Sequence, residues 1–79
     1  MNTYTAGATW SNAAVRINPA VNYGYTATMI DNILIDMANS AGGPTSKTIT
    51  LLGANAKRTA ASDSAVATLT SRGNTINIY

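Results

Sequence analysis

The sequence is defined first by what it lacks. Its 79 residues include no cysteine, histidine, glutamate or phenylalanine, and only 10% of them are charged. No disulfide can therefore form, and no Cys/His set is present for zinc. A single core of this size contributes only about 3 to 5 kcal/mol of net stability. With no covalent or metal link to add to it, we expect the chain to self-associate.

The same absences argue against catalysis. General acid–base and nucleophilic mechanisms need paired groups within hydrogen-bond reach, and the only acidic residues are three aspartates. We interpret Asp31 and Asp63 as helix-start residues rather than catalytic ones. The carboxylates do not cluster as calcium requires, and Gly42-Gly43-Pro44 follows a helix without the Lys-Ser/Thr of a phosphate loop. We expect no enzymatic activity, no metal and no cofactor.

Charge and hydropathy exclude two further classes. The net charge of +2 comes from scattered bases, without the basic stripe of nucleic-acid binders. No apolar run approaches the roughly 20 residues that span a bilayer, and the N-terminus lacks the pattern of a signal peptide. We therefore expect a soluble protein with no nucleic-acid partner and no membrane insertion. More than half of the residues are Ala, Thr, Asn or Ser, a composition that suits a virion or extracellular surface.

The chain opens with a segment that has little regular pattern. Residues 1–13 are small and turn-rich, and we interpret them as an extended entry segment that precedes one domain over residues 14–79. Within the segment, Trp10 is expected to cover an open end of the core rather than to stack on a ligand. Residues 14–18 alternate with a period of two and predict a first strand, which Pro19 ends.

A strong helical pattern follows. Apolar residues recur at spacings of three and four and form one stripe: Met29, Ile30, Ile33, Leu34, Met37, Ala38 and Ala41. Thr28 and Asp31 resemble a capping box, so the helix is expected to begin at Thr26 or Thr28. Gly42-Gly43-Pro44 predicts a left-handed cap and a stop near Ala41.

The remainder of the chain repeats this order in shorter form. Residues 48–52 alternate as a second strand, residues 61–72 predict a second helix, and residues 75–79 predict a third strand. The connecting loop carries Lys57 and Arg58, which we interpret as a solvated pair rather than a contact for anionic ligands. The second helix has Thr59 or Ser62 as its expected N-cap.

These elements predict a small α/β fold of β-α-β-α-β order. Strands joined through helices are parallel, and the crossovers are almost always right-handed. If both helices cover one face, alternation leaves the other face polar but nearly uncharged. We take five residues of that face as a candidate interface: Arg16, Thr50, Leu52, Asn77 and Tyr79.

The stretches IDNILIDMANSAGG and KTITLLGANAKRTAASDSAVATLTSRGNTINIY resemble the leucine-rich-repeat-like segments near the ends of bacteriophage tail-fibre and related bacterial surface proteins. The shared features are Gly53-Ala54-Asn55, Arg58-Thr59, Ala65, Leu69, Arg72-Gly73 and the strand 75–78. The resemblance covers residues 26–79. It departs at Asn74, where the family often has Trp, so we expect the last turn to pack less apolar area.

The resemblance implies a structural and adhesive module at the end of a tail fibre. Such a module would form a homo-oligomer, with a trimer favoured, and would present a surface to a protein or glycan receptor on a host. The alternative is a generic protein-binding repeat fragment that uses the open sheet face. The mass of the native protein separates the two, because the fragment should be monomeric.

Overall fold

A computed structural model of the protein describes residues 2–79 and confirms the α/β architecture. The three strands are β1 (Val15–Ile17), β2 (Thr48–Leu51) and β3 (Thr75–Ile78), and the two helices are α1 (Ala27–Asn39) and α2 (Asp63–Ser71), the latter preceded by a 3-10 turn at Ala60–Ser62. The strands form one parallel sheet in the order β1-β2-β3. The chain therefore makes two successive turns of strand and helix. The first turn runs from β1 through α1 to β2, and the second runs from β2 through α2 to β3.

The core lies between the sheet and the helices. It is formed by eight buried apolar residues: Ile30, Ile33, Leu34, Met37, Ile49, Leu51, Ala65 and Leu69. The four that α1 contributes belong to the predicted stripe, and the two from β2 are the residues that alternation places inward. Because α2 contributes only two buried side chains, α1 dominates the core.

The first helix ends differently from the prediction. The N-cap is Thr26, whose hydroxyl accepts from the Met29 N–H, but the helix stops at Asn39 and Ser40 is the C-cap. The predicted left-handed cap at Gly42-Gly43 is wrong, since neither glycine has a positive φ. The Ser40 N–H bonds the Asp36 and Met37 carbonyls instead, and its hydroxyl donates to the Asp36 carbonyl. A serine side chain thus helps to satisfy the last turn.

The second helix is shorter than expected. The 3-10 turn Ala60–Ser62 takes the first two predicted positions, 61 and 62, and α2 ends at Ser71. Asp63 lies in the first turn, where its charge complements the positive end of the helix. Gly73 has a φ of +84° after the C-cap Arg72, which is the left-handed position expected of a helix-ending glycine.

The entry segment lies along α1. The Tyr4 hydroxyl donates to the Asp36 carboxylate at 2.6 Å, and the backbone N–H of Trp10 donates to the Ser40 hydroxyl at 2.9 Å. Both aromatic rings pack against the core cluster, with their centroids 6.2 Å apart. Trp10 therefore covers the core, as its place in the sequence led us to expect.

The buried side chains of the two helices and of β2 should behave as one core. Leu34 is fully buried, so Leu34→Ala is expected to lower the free energy of unfolding by about 2 to 5 kcal/mol. Thr28→Ala removes an exposed side chain from the same helix and should change it by less than about 0.5 kcal/mol. Thermal or urea melts of both variants measure the difference. Equal melting of the two would contradict the assignment of Leu34 to the core.

Candidate functional site

The open face of the sheet carries a row of three polar side chains. Arg16 of β1 is in register with Thr50 of β2, and Thr50 is in register with Asn77 of β3. The Asn77 amide lies 3.5 Å from the Thr50 hydroxyl. Within residues 2–79 the Arg16 guanidinium has no hydrogen bond or ion pair. The row thus presents a cation, a hydroxyl and an amide to solvent.

The other two candidate residues lie at the carboxyl end of the same face. Leu52 follows directly after β2 and is partly buried, while Tyr79 follows β3 and is 52% exposed. The Tyr79 hydroxyl donates to the Gly53 carbonyl at 2.6 Å, which ties the last residue to the loop after β2. Arg16, Thr50 and Asn77 therefore lie on the open face, and Leu52 and Tyr79 lie just beyond the carboxyl ends of β2 and β3.

Two surface depressions of the described part of the chain lie elsewhere. One of about 370 Å³ lies between the entry segment and α1, and one of about 310 Å³ lies between the two helices. Neither is lined by a candidate residue. Because small-molecule sites are concave, the open face is better suited to contact with a macromolecular surface.

A second set of residues, whose bridging role the sequence did not indicate, connects the two turns. We call Asp31, Asn55, Arg72 and Asn74 the bridging residues. Asn55 is 5% exposed, and its amide accepts from the Tyr25 N–H at 2.9 Å and donates to the Ile17 carbonyl at 3.0 Å. Its side chain thus satisfies backbone groups of the first turn at the carboxyl end of the sheet.

Asn74 and Arg72 do the same at the opposite end. The Asn74 amide donates to the Pro44 and Leu69 carbonyls and accepts from the Lys47 N–H. The Arg72 guanidinium donates to the carbonyls of Met37 and Ala38, which closes the end of α1. The buried Asn74 amide therefore supplies three hydrogen bonds at this end of the sheet.

Asp31 bridges the starts of the two helices, which corrects its assignment as a helix-start residue of α1. It is 5% exposed and accepts from the Thr59 N–H, the Thr59 hydroxyl and the Ser62 hydroxyl. Burial alone would raise the pKa of Asp31, but the hydrogen bonds from Ser62 and Thr59 and the charge of Arg58 together hold it below its usual value. The carboxylate thus stays charged inside the fold.

The other two aspartates are also engaged. Asp36 accepts from Tyr4 and from the Gly7 and Ala8 N–H groups, while Asp63 pairs with Arg58 at 2.6 Å. Burial, together with the bond to Asp36, raises the pKa of Tyr4 to about 12. Arg58 is therefore part of an ion pair rather than half of a solvated basic pair, and of these two bases only Lys57 is exposed.

Residues 2–79 contain no group of three His, Cys, Asp or Glu side chains that could hold a metal ion. Neither of the helices described in this range has the length and apolar character to cross a membrane.

Comparison of the chain with protein-family models, curated proteins and solved structures finds no match.

The bridging role of Asp31 can be tested by Asp31→Asn. At neutral pH the variant should lose about 1 to 3 kcal/mol of unfolding free energy, because the buried donors of Thr59 and Ser62 lose a charged acceptor. The pKa of Asp31 is lowered in the folded state, so its contribution is present above the unfolded pKa of about 4 and is lost as pH falls through the folded value.

The control is Asp63→Asn, the same chemical change at a side chain that is 65% exposed. It should cost less than about 1 kcal/mol. Urea melts of both variants and the parent between pH 7 and pH 2.5 measure these differences. A gap between parent and Asp31→Asn that widens in acid would contradict the bridging role.

Proposed function

We propose that this chain is a non-enzymatic structural and adhesive module of the kind found at the end of a phage tail fibre. It self-associates, and the open face of its sheet binds a host-surface receptor, either a protein or a glycan. The observation that carries the proposal is the row of Arg16, Thr50 and Asn77 across three strands. These side chains point away from the core and take no part in bridging the turns.

The distribution of polar groups supports this reading. The three aspartates, Arg58 and Arg72 are bound within the fold, and each connects or closes an element of structure. Arg16 has no such partner within residues 2–79. Arginine is enriched at recognition surfaces because its planar guanidinium binds carboxylates and stacks on aromatic rings. A cation next to a hydroxyl and an amide, held on a rigid sheet, can bind a polar or anionic surface group.

Leu52 and Tyr79 extend the row with apolar area. Tyrosine serves interfaces well because its ring buries surface while its hydroxyl keeps a partner, and here that partner is the Gly53 carbonyl. The bond fixes the ring at the carboxyl end of the sheet without removing it from solvent. The face therefore combines polar groups for specificity with an aromatic contact for affinity.

The proposal predicts a charge-specific loss of binding. Labelled protein is incubated with a panel of bacterial envelopes and with a glycan array, and bound protein is measured. We expect retention by at least one surface and about tenfold weaker retention of Arg16→Ala, equivalent to about 1.4 kcal/mol. Lys57→Ala is the matched control, because it removes one exposed positive charge from a loop outside the row. It should bind as the parent does.

Two results would count against the proposal. Equal losses in Arg16→Ala and Lys57→Ala would show only a dependence on net charge. If no surface retains the parent in either format, the module is not adhesive. The circular dichroism spectrum of Arg16→Ala should match that of the parent, since the side chain is exposed.

A further inference from the structure

The outer edge of β3 has unpaired backbone groups. No strand within residues 2–79 lies beyond β3. The Thr75 N–H donates to the Lys47 carbonyl, so Thr75 faces β2. In a parallel ladder the backbone groups of alternate residues point to opposite sides, which makes Asn77 the next residue to face β2. The N–H and C=O groups of Ile76 and Ile78 therefore point outward.

This edge lacks two of the features that normally block strand addition, charge and proline. Natural edge strands are protected by charge, proline, bulges or short length. Residues 73–79 contain no charged residue and no proline. The inward side chains of Ile76 and Ile78 are only partly buried, although they pack against the core. β3 thus presents both unpaired hydrogen-bonding groups and incompletely covered apolar side chains.

The opposite edge is different. β1 has only three residues. The backbone N–H and C=O groups of Val15 and Ile17 point toward β2, so only those of Arg16 point outward within the strand. Arg16 is also charged, which disfavours strand addition. A head-to-tail contact of β3 with β1 of another copy would therefore form fewer hydrogen bonds than a contact of β3 with a second β3.

We propose that β3 pairs antiparallel with β3 of a second copy across a two-fold axis at Asn77. In this register Ile76 lies opposite the partner's Ile78, and Ile78 lies opposite the partner's Ile76. In both pairs the backbone N–H and C=O groups of each residue point toward the other copy. Each pair therefore forms two hydrogen bonds, and the contact forms four. The two three-stranded sheets become one sheet of six strands. The proposed function includes self-association, and the pairing names the contact between the two copies. The pairing rests on the proposed function only for the expectation that the chain self-associates.

The side chains agree with this register on both faces. On the inner face each partly buried isoleucine gains an apolar neighbour from the other copy, which removes exposed area from water. On the open face the two Asn77 amides lie opposite each other, and an amide can both donate to and accept from its copy. Arg16 of each copy stays at the far edge of the sheet. The row of Arg16, Thr50 and Asn77 is thus doubled and remains accessible.

An isologous contact of this kind closes at two copies. The tail-fibre resemblance instead led us to expect a trimer, which would need a head-to-tail contact between different edges. Another polypeptide or a further repeat could also extend the same edge. The stoichiometry of the 79-residue chain and the effect of charge at Asn77 separate these occupants.

The experiment uses native mass spectrometry and light scattering on the parent, Asn77→Lys and Asn77→Asp. The parent should be a dimer. Each variant should be a monomer, because like charges directly opposite one another across a strand pair are destabilising. An equimolar mixture of the two variants should form a heterodimer of intermediate mass, since the lysine then faces an aspartate. Thr48→Lys places the same charge on the same face of the central strand and should stay dimeric.

Several results would overturn the inference. A monomeric or trimeric parent contradicts it, as does an Asn77→Lys variant that stays dimeric. A mixture that remains monomeric would show that the two Asn77 side chains do not face each other. The proposed function has a separate outcome: a dimer that no host surface retains contradicts adhesion and leaves the pairing intact, whereas a trimer that binds contradicts only the pairing.

Discussion

The Asn55 side chain connects the two turns of the fold, and the rest of the structure depends on contacts of this kind. A turn that runs from strand to helix leaves backbone N–H and C=O groups without partners in its own turn, and such groups are costly to bury. Asn55 supplies partners for Tyr25 and Ile17, as Asn74 does for Lys47 and Pro44. The first turn is thus completed by side chains from the second.

This constraint explains how so small a chain keeps polar groups inside. Within residues 2–79 no buried side-chain nitrogen or oxygen lacks a hydrogen-bond partner. Asp31, 5% exposed, remains charged because its acceptor sites are filled by Thr59 and Ser62. Polar side chains between the turns fix the fold, whereas Arg16 on the open face has no hydrogen bond or ion pair within residues 2–79.

The regular elements were accessible from the sequence because periodicity reports burial directly. The stripe through Leu34 and the alternation of Ile49 and Leu51 located α1, β2 and the core. The bridging residues were not predicted, because a polar residue beside an apolar stripe looks the same whether it faces solvent or the next turn. Their spacing in the sequence is a signal that could have found them, because the bonded residues are separated by about the length of one strand-helix turn. The separation is 30 residues between Tyr25 and Asn55 and 28 between Asp31 and Thr59. The end of α1 was missed because Ser40 provides a side-chain cap where Gly42-Gly43 suggested a left-handed one.

The central claim is that these side chains join two turns into one cooperative unit, and native-state amide hydrogen exchange tests it most directly. The informative amides are those of Tyr25 and Thr59, which donate to Asn55 and Asp31 of the other turn. We predict that both open with the same free energy as the amide of Ile49 in the buried central strand, because none can open without separating the turns. If Tyr25 and Thr59 exchange at much lower free energy while Ile49 stays protected, the turns open independently and the claim is wrong.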